Sequence, residues 1–345
     1  MRAATIREHG GLEVINVEDM PAPEPDEGEV VLDVRAAALN HLDIWVREGR
    51  PGLEVEKPRI IGTDAAGTIA KVGPGVHGME KGDRMVLYPG LNCGCCEFCL
   101  AGEHSQCANF GIMGVHRHGT FAEQVAVPAF NLLHVPESLD LLDAAALPVA
   151  YLTAWRMLFS RAGLTPGDTV LIHGIGGGVA LAGLQLTVMA GGRAFVTSSS
   201  DEKLERAAQL GAAETINYTE TDDIAGAVKE MSGGRGADIA LDSVGAATWP
   251  VDLAALRKGG TVVNCGVTTG AEAQTNLHQL YWNQLSARGS TLGSRPEFRQ
   301  FLRAVEVNGL EPLIDSSHEL EDVRHAMSRM EEGRQMGKIL LHTRG

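Results

Sequence analysis

The sequence predicts an α/β protein with two differently built parts. Up to about residue 149, short β-branched runs are separated by proline- and glycine-rich turns, which is typical of a region made mostly of strands. Beyond that point, apolar runs alternate with helical patterns, which predicts βαβ units around a doubly wound parallel sheet. The chain of 345 residues is 44% hydrophobic and 21% charged, which excludes a disordered or collagen-like protein.

The first part begins with a β-branched run at residues 30–34, and further strands are expected at 69–72 and 85–88. Turn sequences separate these runs, so an all-β module is the simplest interpretation. In the second part, strands are expected at 169–172, 194–197, 239–242 and 261–265, with a helix at 201–210. The chain then predicts helices at 296–308 and 319–332 and a last strand at 338–342.

Charge and hydropathy narrow the classes of partner. The formal net charge is −15, which disfavours nucleic acid and anionic membranes, so phosphate binding must be local. The first 11 residues carry charge before any apolar run, so we expect no signal peptide and a cytoplasmic location. Residues 170–192 lack charged side chains, but the glycines at 174 and 176–178 argue against a membrane-spanning helix. The expected partner is a small-molecule substrate.

Five of the six cysteines lie between residues 93 and 107. Cys93, Cys96, Cys99 and Cys107 have the spacing C-x2-C-x2-C-x7-C within a glycine-containing loop, residues 89–110. Four thiolates form a closed tetrahedral zinc site, which predicts one structural Zn²⁺. Disulfides and an iron–sulfur cluster are the alternatives for the same side chains. Cys95 is expected to point away from the metal.

A glycine-rich turn follows the strand at 169–172. In this strand–turn–helix order, glycines let the backbone approach a pyrophosphate, and the helix N-terminus supplies free N–H groups. A tight turn without a ligand is the alternative. The residues expected to bind the dinucleotide here are Gly174, Gly176, Gly177, Gly178 and Val179.

The end of the next strand favours NADPH over NADH. An acidic residue there would bind the 2′-hydroxyl of NAD, whereas this chain has Ser198 and Ser199, with Lys203 one turn further on. Hydroxyls and a cation suit a 2′-phosphate. Asp201 is interpreted as the N-cap of the following helix, with contact to an NAD ribose as the alternative.

Together these motifs resemble the medium-chain dehydrogenase/reductase superfamily over essentially the whole chain. Further landmarks are the segments at 28–32, 72–76, 82–86, 210–212 and 216–218, Gly62 with Gly67, and Gly337 with Lys338. The resemblance implies a GroES-like, mostly-β catalytic domain formed by residues 1–149 and 290–345. It also implies a Rossmann domain at 150–289, a nicotinamide cleft where the two meet, and a homodimer.

Zinc alcohol dehydrogenases of this superfamily hold a second, catalytic zinc with a Cys and a His. Here Asn40 and Thr63 stand at those positions, which disfavours a catalytic metal. His41 is a possible substitute ligand. The Asn40-x-x-Asp43 segment is instead similar to that of quinone oxidoreductases and enoyl reductases, in which Lys203 and Tyr218 match positions facing the 2′-phosphate.

The sequence therefore predicts an NADPH-dependent reductase of a quinone or an α,β-unsaturated carbonyl. Asn40 would donate a hydrogen bond to the substrate oxygen, while the alternative for Asn40 and Asp43 is a pair that only fixes its loop. Two other functions stay open: an NAD(P)-dependent alcohol or aldehyde dehydrogenase, and a non-catalytic zinc-lobed binding protein. The homodimer is expected to form at the strand 261–265 and the segment up to 290, which contains Leu277, Leu280, Tyr281 and Trp282.

Overall fold

A computed structural model describes residues 1–50 and 55–343. These residues divide into two units, one formed by Met1–Ala150 with Gly293–Gly345 and the other by Tyr151–Leu292. Each unit has its own sheet and its own hydrophobic core.

The N-terminal segment is made mainly of strands. Its long strands carry buried β-branched residues, which pack well on a pleated surface. The strands are β1 (Arg2–Ile6), β2 (Ile15–Asp19), β3 (Glu29–Ala38), β4 (Arg59–Ile60), β5 (Asp64–Val72), β6 (Arg84–Leu87), β7 (Gly90–Leu91), β8 (Gly111–Ile112), β9 (Gln124–Pro128) and β10 (Leu132–His134). The helices are α1 (His41–Glu48), α2 (Glu97–Leu100) and α3 (Leu141–Ala145). The prediction of an all-β module is wrong at α1, which is amphipathic and buries Ile44 and Val46.

The middle segment alternates helices and strands. Its helices are α4 (Pro148–Trp155, continued by a π-helix at Arg156–Ala162), α5 (Gly178–Met189), α6 (Asp201–Gln209), α7 (Ile224–Met231), α8 (Trp249–Ala255) and α9 (Leu277–Trp282). Its strands are β11 (Thr169–Ile172), β12 (Arg193–Ser198), β13 (Glu214–Asn217), β14 (Ala237–Asp242), β15 (Leu256–Asn264) and β16 (Ser286–Gly289).

The C-terminal segment contains α10 (Arg295–Asn308), β17 (Ile314–Glu319), α11 (Val323–Glu331) and β18 (Lys338–His342). Helix α10 begins with a capping box formed by Ser294 and Glu297, and it ends at Gly309. The predicted helix at 319–332 is wrong in its first turn. Glu319 ends a strand and residues 320–322 form a 3₁₀ turn, so the apolar face of α11 starts only at Val323.

The described part of the first unit contains a three-stranded sheet, β2-β1-β4, a two-stranded sheet, β7-β8, and a seven-stranded sheet. Both chain ends build the seven-stranded sheet. Its strand order is β10-β6-β5-β3-β18-β17, with β9 also paired to β3. Strand β18 pairs antiparallel with β3 and parallel with β17, and this places Lys338 near the end of β3.

The second unit is a six-stranded sheet with the order β13-β12-β11-β14-β15-β16. Every neighbouring pair is parallel, and the residues of β11 and β14 are all buried, as expected for a sheet covered on both faces. The predicted α/β fold class, with a mostly-β domain and a doubly wound parallel sheet, is confirmed.

The uncharged stretch at 170–192 forms β11, the glycine-rich turn and α5 rather than one helix. Among the described residues, no helix combines the length and the apolar character needed to cross a bilayer.

Candidate active site and metal centre

The four predicted cysteine ligands converge. Cys93, Cys96, Cys99 and Cys107 place their sulfur atoms within 4.8 Å of one another. The Sγ–Sγ distances are 3.5 Å for Cys96–Cys99, 3.5 Å for Cys93–Cys107 and 3.9 Å for Cys93–Cys99. Four thiolates around one zinc at the usual Zn–S length lie about 3.8 Å apart. The donor set and its spacing therefore fit a zinc ion.

Backbone N–H groups point at these sulfurs. The N–H of Cys93 and that of Asn109 both donate to the Cys107 sulfur at 3.3 Å. Backbone N–H groups lower the pKa of Cys93 to about 6, whereas burial raises the pKa of Cys99 to about 12. A bound dication would favour the thiolate at every position. Cys95 is exposed and is not part of the cluster.

A second cluster of polar side chains surrounds the start of α1. Asn40 is the N-cap of α1, and Asp43 lies in its first turn. Thr63 and Asp64 follow Gly62, and Asp64 is the first residue of β5. Gly62 has a φ of +100°, which favours glycine, and its Cα faces the ring of Phe121. Asn40, Asp43, Thr63 and Asp64 are all buried.

Lys338, at the start of β18, connects this buried polar network. Its ammonium donates to the Asn40 Oδ1 and to the Leu39 carbonyl at 2.7 Å each, and to the Asp64 Oδ2 at 3.0 Å. The Asn40 Nδ2 also donates to the Asp64 Oδ2, at 2.9 Å. The other oxygen of Asp64 accepts the Val149 N–H at 2.9 Å. Burial raises the pKa of Asp64, and the Lys338 ammonium opposes that increase.

Asp43 forms the second part of the network. Its Oδ2 accepts the Asn40 N–H at 2.7 Å and its Oδ1 accepts the Thr63 hydroxyl at 3.1 Å. Burial, with a smaller contribution from the nearby Asp64, raises the pKa of Asp43 to about 7, although the Asn40 N–H and Lys338 oppose the increase. Both oxygens of Asp43 thus accept hydrogen bonds, one from the N-cap of its own helix and one from Thr63.

The Lys338 ammonium supplies a positive charge within this network. Within residues 1–50 and 55–343, the cysteine cluster is the only group of three or more His, Cys, Asp or Glu side chains whose ligand atoms converge. His41, the possible substitute ligand, is exposed at the first residue of α1. The arrangement around Asn40 is suited to hydrogen bonding rather than to metal binding.

The glycine-rich turn connects β11 to α5. Gly174 has a φ of +67°, which favours glycine, and Gly177 is the N-cap of the 12-residue helix α5. Within that helix, a Cβ on Gly183 would lie 2.9 Å from Leu241, so α5 packs closely on the sheet. The predicted residues 174–179 thus lie together at the N-terminus of a long helix, which fits a pyrophosphate.

The groups predicted to bind the 2′-position lie beside this turn at the end of β12. Ser198 is buried and Ser199 is exposed. Tyr218 is 46% exposed, and its backbone N–H donates to the Ser198 carbonyl at 3.0 Å. Lys203 lies in the first turn of α6. Ser198, Ser199 and Tyr218 therefore lie close together in the second unit.

The predicted N-cap of α6 is wrong by one residue. Ser200, not Asp201, caps this helix, because its side chain accepts the Lys203 N–H at 3.4 Å. Asp201 is the first helical residue and accepts the Asn217 Nδ2 at 2.7 Å. Serine and aspartate are both good caps, so adjacent candidates cannot be ranked from the sequence.

Comparisons with known proteins agree with this architecture. Residues 178–307 match the zinc-binding dehydrogenases, and residues 26–137 match the alcohol dehydrogenase GroES-like domain. A zinc-type alcohol dehydrogenase-like protein of Schizosaccharomyces pombe is 33% identical over 344 residues, covering 97% of this chain and 96% of the relative. The chain is a zinc-binding dehydrogenase of the medium-chain dehydrogenase/reductase superfamily.

Two further relatives bear on the activity of this zinc-binding dehydrogenase. A crystal structure of an NAD-dependent alcohol dehydrogenase is 42% identical, with a TM-score of 0.95 and 99% of both chains covered. A quinone oxidoreductase of Lama guanicoe is 30% identical over 333 residues, covering 94% of this chain and 92% of the relative. The protein is therefore a nicotinamide-dependent oxidoreductase, and the non-catalytic alternative is set aside.

The positions of Asp64 and Lys338 in this zinc-binding dehydrogenase could not be predicted from the sequence. Both stand in segments that carried the resemblance, but they are 274 residues apart, and nothing local indicates that they form a buried ion pair. A lysine that opens an apolar strand is the one available signal, since buried lysines are rarely unpaired.

Proposed function

We propose that this enzyme uses NADPH to reduce a conjugated acceptor, either a quinone or an α,β-unsaturated carbonyl, without a catalytic metal. The observation that supports this most is the buried polar network, in which the Lys338 ammonium takes the place of a dication beside Asp64. When bound, the reduced nicotinamide supplies a hydride. A conjugated acceptor suits this site because the resulting negative charge spreads onto an oxygen that a neutral donor can stabilise.

Asn40 is the proposed donor to that oxygen. One hydrogen of its amide is held by Asp64 at 2.9 Å, while the other has only a 3.4 Å contact to the Ala38 carbonyl. The second hydrogen is therefore the one available to a substrate. Lys338 donates to the Asn40 Oδ1, which polarises the amide and strengthens its N–H groups as donors.

The cysteine cluster has a separate structural role in this proposal. Cys93, Cys96, Cys99 and Cys107 would hold one zinc and leave no coordination position open for a substrate. The metal would stabilise the fold of the loop and supply no step of the reaction.

The preference for NADPH is supported by the end of β12. Ser198, Ser199, Lys203 and Tyr218 offer hydroxyls and a cation, which form charge-assisted hydrogen bonds with a 2′-phosphate. Even one such contact gives about tenfold discrimination. We expect kcat/KM to be higher for NADPH, and Lys203→Ala to remove most of the difference. Equal values for both cofactors in the wild type would refute the preference.

The second candidate is an NAD(P)-dependent alcohol dehydrogenase. It is favoured by the 42% identical structure, which is named an NAD-dependent alcohol dehydrogenase. Alcohol oxidation requires loss of the hydroxyl proton, a step that a zinc ion assists by lowering the alcohol pKa. Asn40 and Thr63 are not good zinc ligands, and they bond to Asp64 and Asp43 instead.

Paired steady-state assays distinguish the two candidates. Untreated and chelator-treated protein are each assayed with an enone or quinone in one arm and with a series of primary alcohols in the other. We expect turnover only in the first arm, and Asn40→Ala should lower kcat there by about 10- to 1000-fold while cofactor binding is retained. Alcohol oxidation that chelation abolishes would instead establish the second candidate.

We also propose that the protein is a homodimer through the edge of the second unit's sheet. Strand β16 is an edge strand, and the neighbouring helix α9 exposes Leu277 by 69%, Tyr281 by 65% and Trp282 by 63%. Leu280, also predicted at this face, packs against the core of its own unit instead. Light scattering at micromolar protein should give twice the chain mass, and a monomer mass would refute the proposal.

A further inference from the structure

A buried hydrogen-bonded chain lies next to the glycine-rich turn in the second unit. It runs from Asp252 on α8 through His173, which follows β11, to Thr197 near the end of β12. These side chains are 0%, 2% and 1% exposed. None of them belongs to the predicted cofactor contacts, and the proposed reaction does not use them.

Hydrogen bonds connect Asp252, His173 and Thr197 to the turn itself. The Asp252 Oδ1 lies 2.9 Å from the His173 Nε2, and the His173 Nδ1 lies 3.2 Å from the Thr197 Oγ1. That hydroxyl accepts the Gly174 N–H at 3.4 Å, and the Thr197 carbonyl accepts the Ile175 N–H at 3.0 Å. The N–H groups of Gly174 and Ile175, the first two residues of the turn, therefore both donate to Thr197.

The donors and acceptors among Asp252, His173 and Thr197 can be assigned in order. An ionised carboxylate only accepts, so of the two neutral tautomers of His173, Asp252 favours the one that carries its proton on Nε2. The His173 Nδ1 then accepts the Thr197 hydroxyl proton. As a result, the lone pairs of the Thr197 oxygen are free to accept the Gly174 N–H. With the other tautomer, Nδ1 would donate to this oxygen and could no longer accept the Thr197 hydroxyl proton.

Asp252 is an unusual residue for a purely structural position. Its Oδ2 is buried and has no hydrogen-bond partner among the described residues. Burial raises the pKa of Asp252 to about 6, the His173 ring lowers it, and Asp242 raises it. A buried carboxylate with one unpaired oxygen destabilises a fold, so its presence calls for a specific role.

We propose that Asp252, His173 and Thr197 are positioning residues that hold the glycine-rich turn in the conformation that binds the dinucleotide. Gly174 has the positive φ of +67° on which that conformation depends. Its N–H is held by the Thr197 hydroxyl. This proposal rests on dinucleotide binding at the turn. It is independent of the acceptor and of any preference between NADPH and NADH.

The test compares dinucleotide affinity in four variants by fluorescence titration with both NADPH and NADH. Thr197→Val keeps the side-chain shape but removes the hydroxyl, and Asp252→Leu removes the acceptor for His173. Asp252→Asn keeps an acceptor oxygen and serves as the conservative variant. The matched control is Asp238→Asn, because Asp238 is also buried but bonds to the Thr169 N–H at the opposite end of β11, at 2.8 Å.

We expect the Kd of the tighter-binding dinucleotide to rise about fivefold in Thr197→Val and about tenfold in Asp252→Leu. Asp252→Asn should stay within about threefold of the wild type. Asp238→Asn should lower the Tm, since it weakens ion pairs with Arg235 and Arg257, and leave Kd unchanged. The proposal is wrong if Thr197→Val binds as tightly as the wild type, or if Asp238→Asn weakens binding as much. Thr197→Val decides the question even where Asp252→Leu does not fold.

Discussion

Two clusters in the first unit, the four cysteines and the buried polar network, both gather groups that carry negative charge. Three of the sulfur pairs among Cys93, Cys96, Cys99 and Cys107 lie 3.5–3.9 Å apart. The other hydrogen-bond contacts described for these sulfurs involve backbone N–H groups and the Asn92 side chain. In the polar network, the Lys338 ammonium lies 3.0 Å from Asp64, and amide and hydroxyl groups satisfy the remaining oxygens.

This difference distinguishes a cluster whose donor set fits a metal ion from a cluster that already contains its own cation. Thiolates that lack a protein cation need an external dication, so the cysteine cluster fits the proposed structural zinc. Carboxylates that already have a cation and hydrogen bonds need no external dication. A bound zinc would stabilise one loop, while the polar network would position Asn40 for its proposed role.

The largest expected effect is at the cysteine cluster. Cys99→Ser should lose the zinc and lower the Tm by on the order of 10 °C, since metal binding and local folding are coupled and are worth several kcal/mol. Zinc content and thermal unfolding are measured together. The matched control is Cys95→Ser, which changes an exposed neighbour outside the cluster and should keep both values. Retention of zinc in Cys99→Ser would exclude the four-thiolate site.

The next largest effect is expected at Lys338. Lys338→Met leaves the buried Asp64 without its cation and should lower the free energy of unfolding by about 3–5 kcal/mol. The double variant Asp64→Asn with Lys338→Met removes both charges and should recover part of that loss. Denaturant unfolding of both proteins checks this. If the double variant is no more stable than the single one, charge compensation is not what holds the network.

The smallest effect concerns pH. The folded-state pKa of Asp43, about 7, is above its ordinary value, so the stability it contributes is present at low pH and is lost as pH rises toward 7. The wild type should therefore lose up to about 1.4 kcal/mol relative to Asp43→Asn between pH 5 and 6. Parallel stability curves for the two proteins over this range would show that Asp43 is ionised throughout.

The sequence predicts some parts of these clusters better than others, for physical reasons. The cysteine ligands lie within 15 residues, so short turns constrain them to one centre. The glycine-rich turn is likewise local, because strand, turn and helix follow one another. The pair of Asp64 and Lys338 depends on β18 joining β3 in one sheet, and no local pattern encodes that pairing.

Side-chain hydrogen bonds are also hard to predict from sequence. The sequence offers Asn40 either as a donor to a substrate oxygen or as part of a loop-fixing pair, and neither interpretation includes its bonds to Asp64 and Lys338. Likewise, His173 carries no sequence signal beyond its position before Gly174. Its partner Asp252 lies 79 residues further along the chain.

The most direct test of the contrast between the two clusters is the zinc content of the wild-type protein. Elemental analysis by mass spectrometry, on protein purified with zinc present and then dialysed, gives the number of ions per chain. We expect one zinc per chain, retained by Asn40→Ala and lost from Cys99→Ser. Two zinc ions per chain, with one lost on substitution of Asn40, would contradict the assignment of the polar network as a site without a metal.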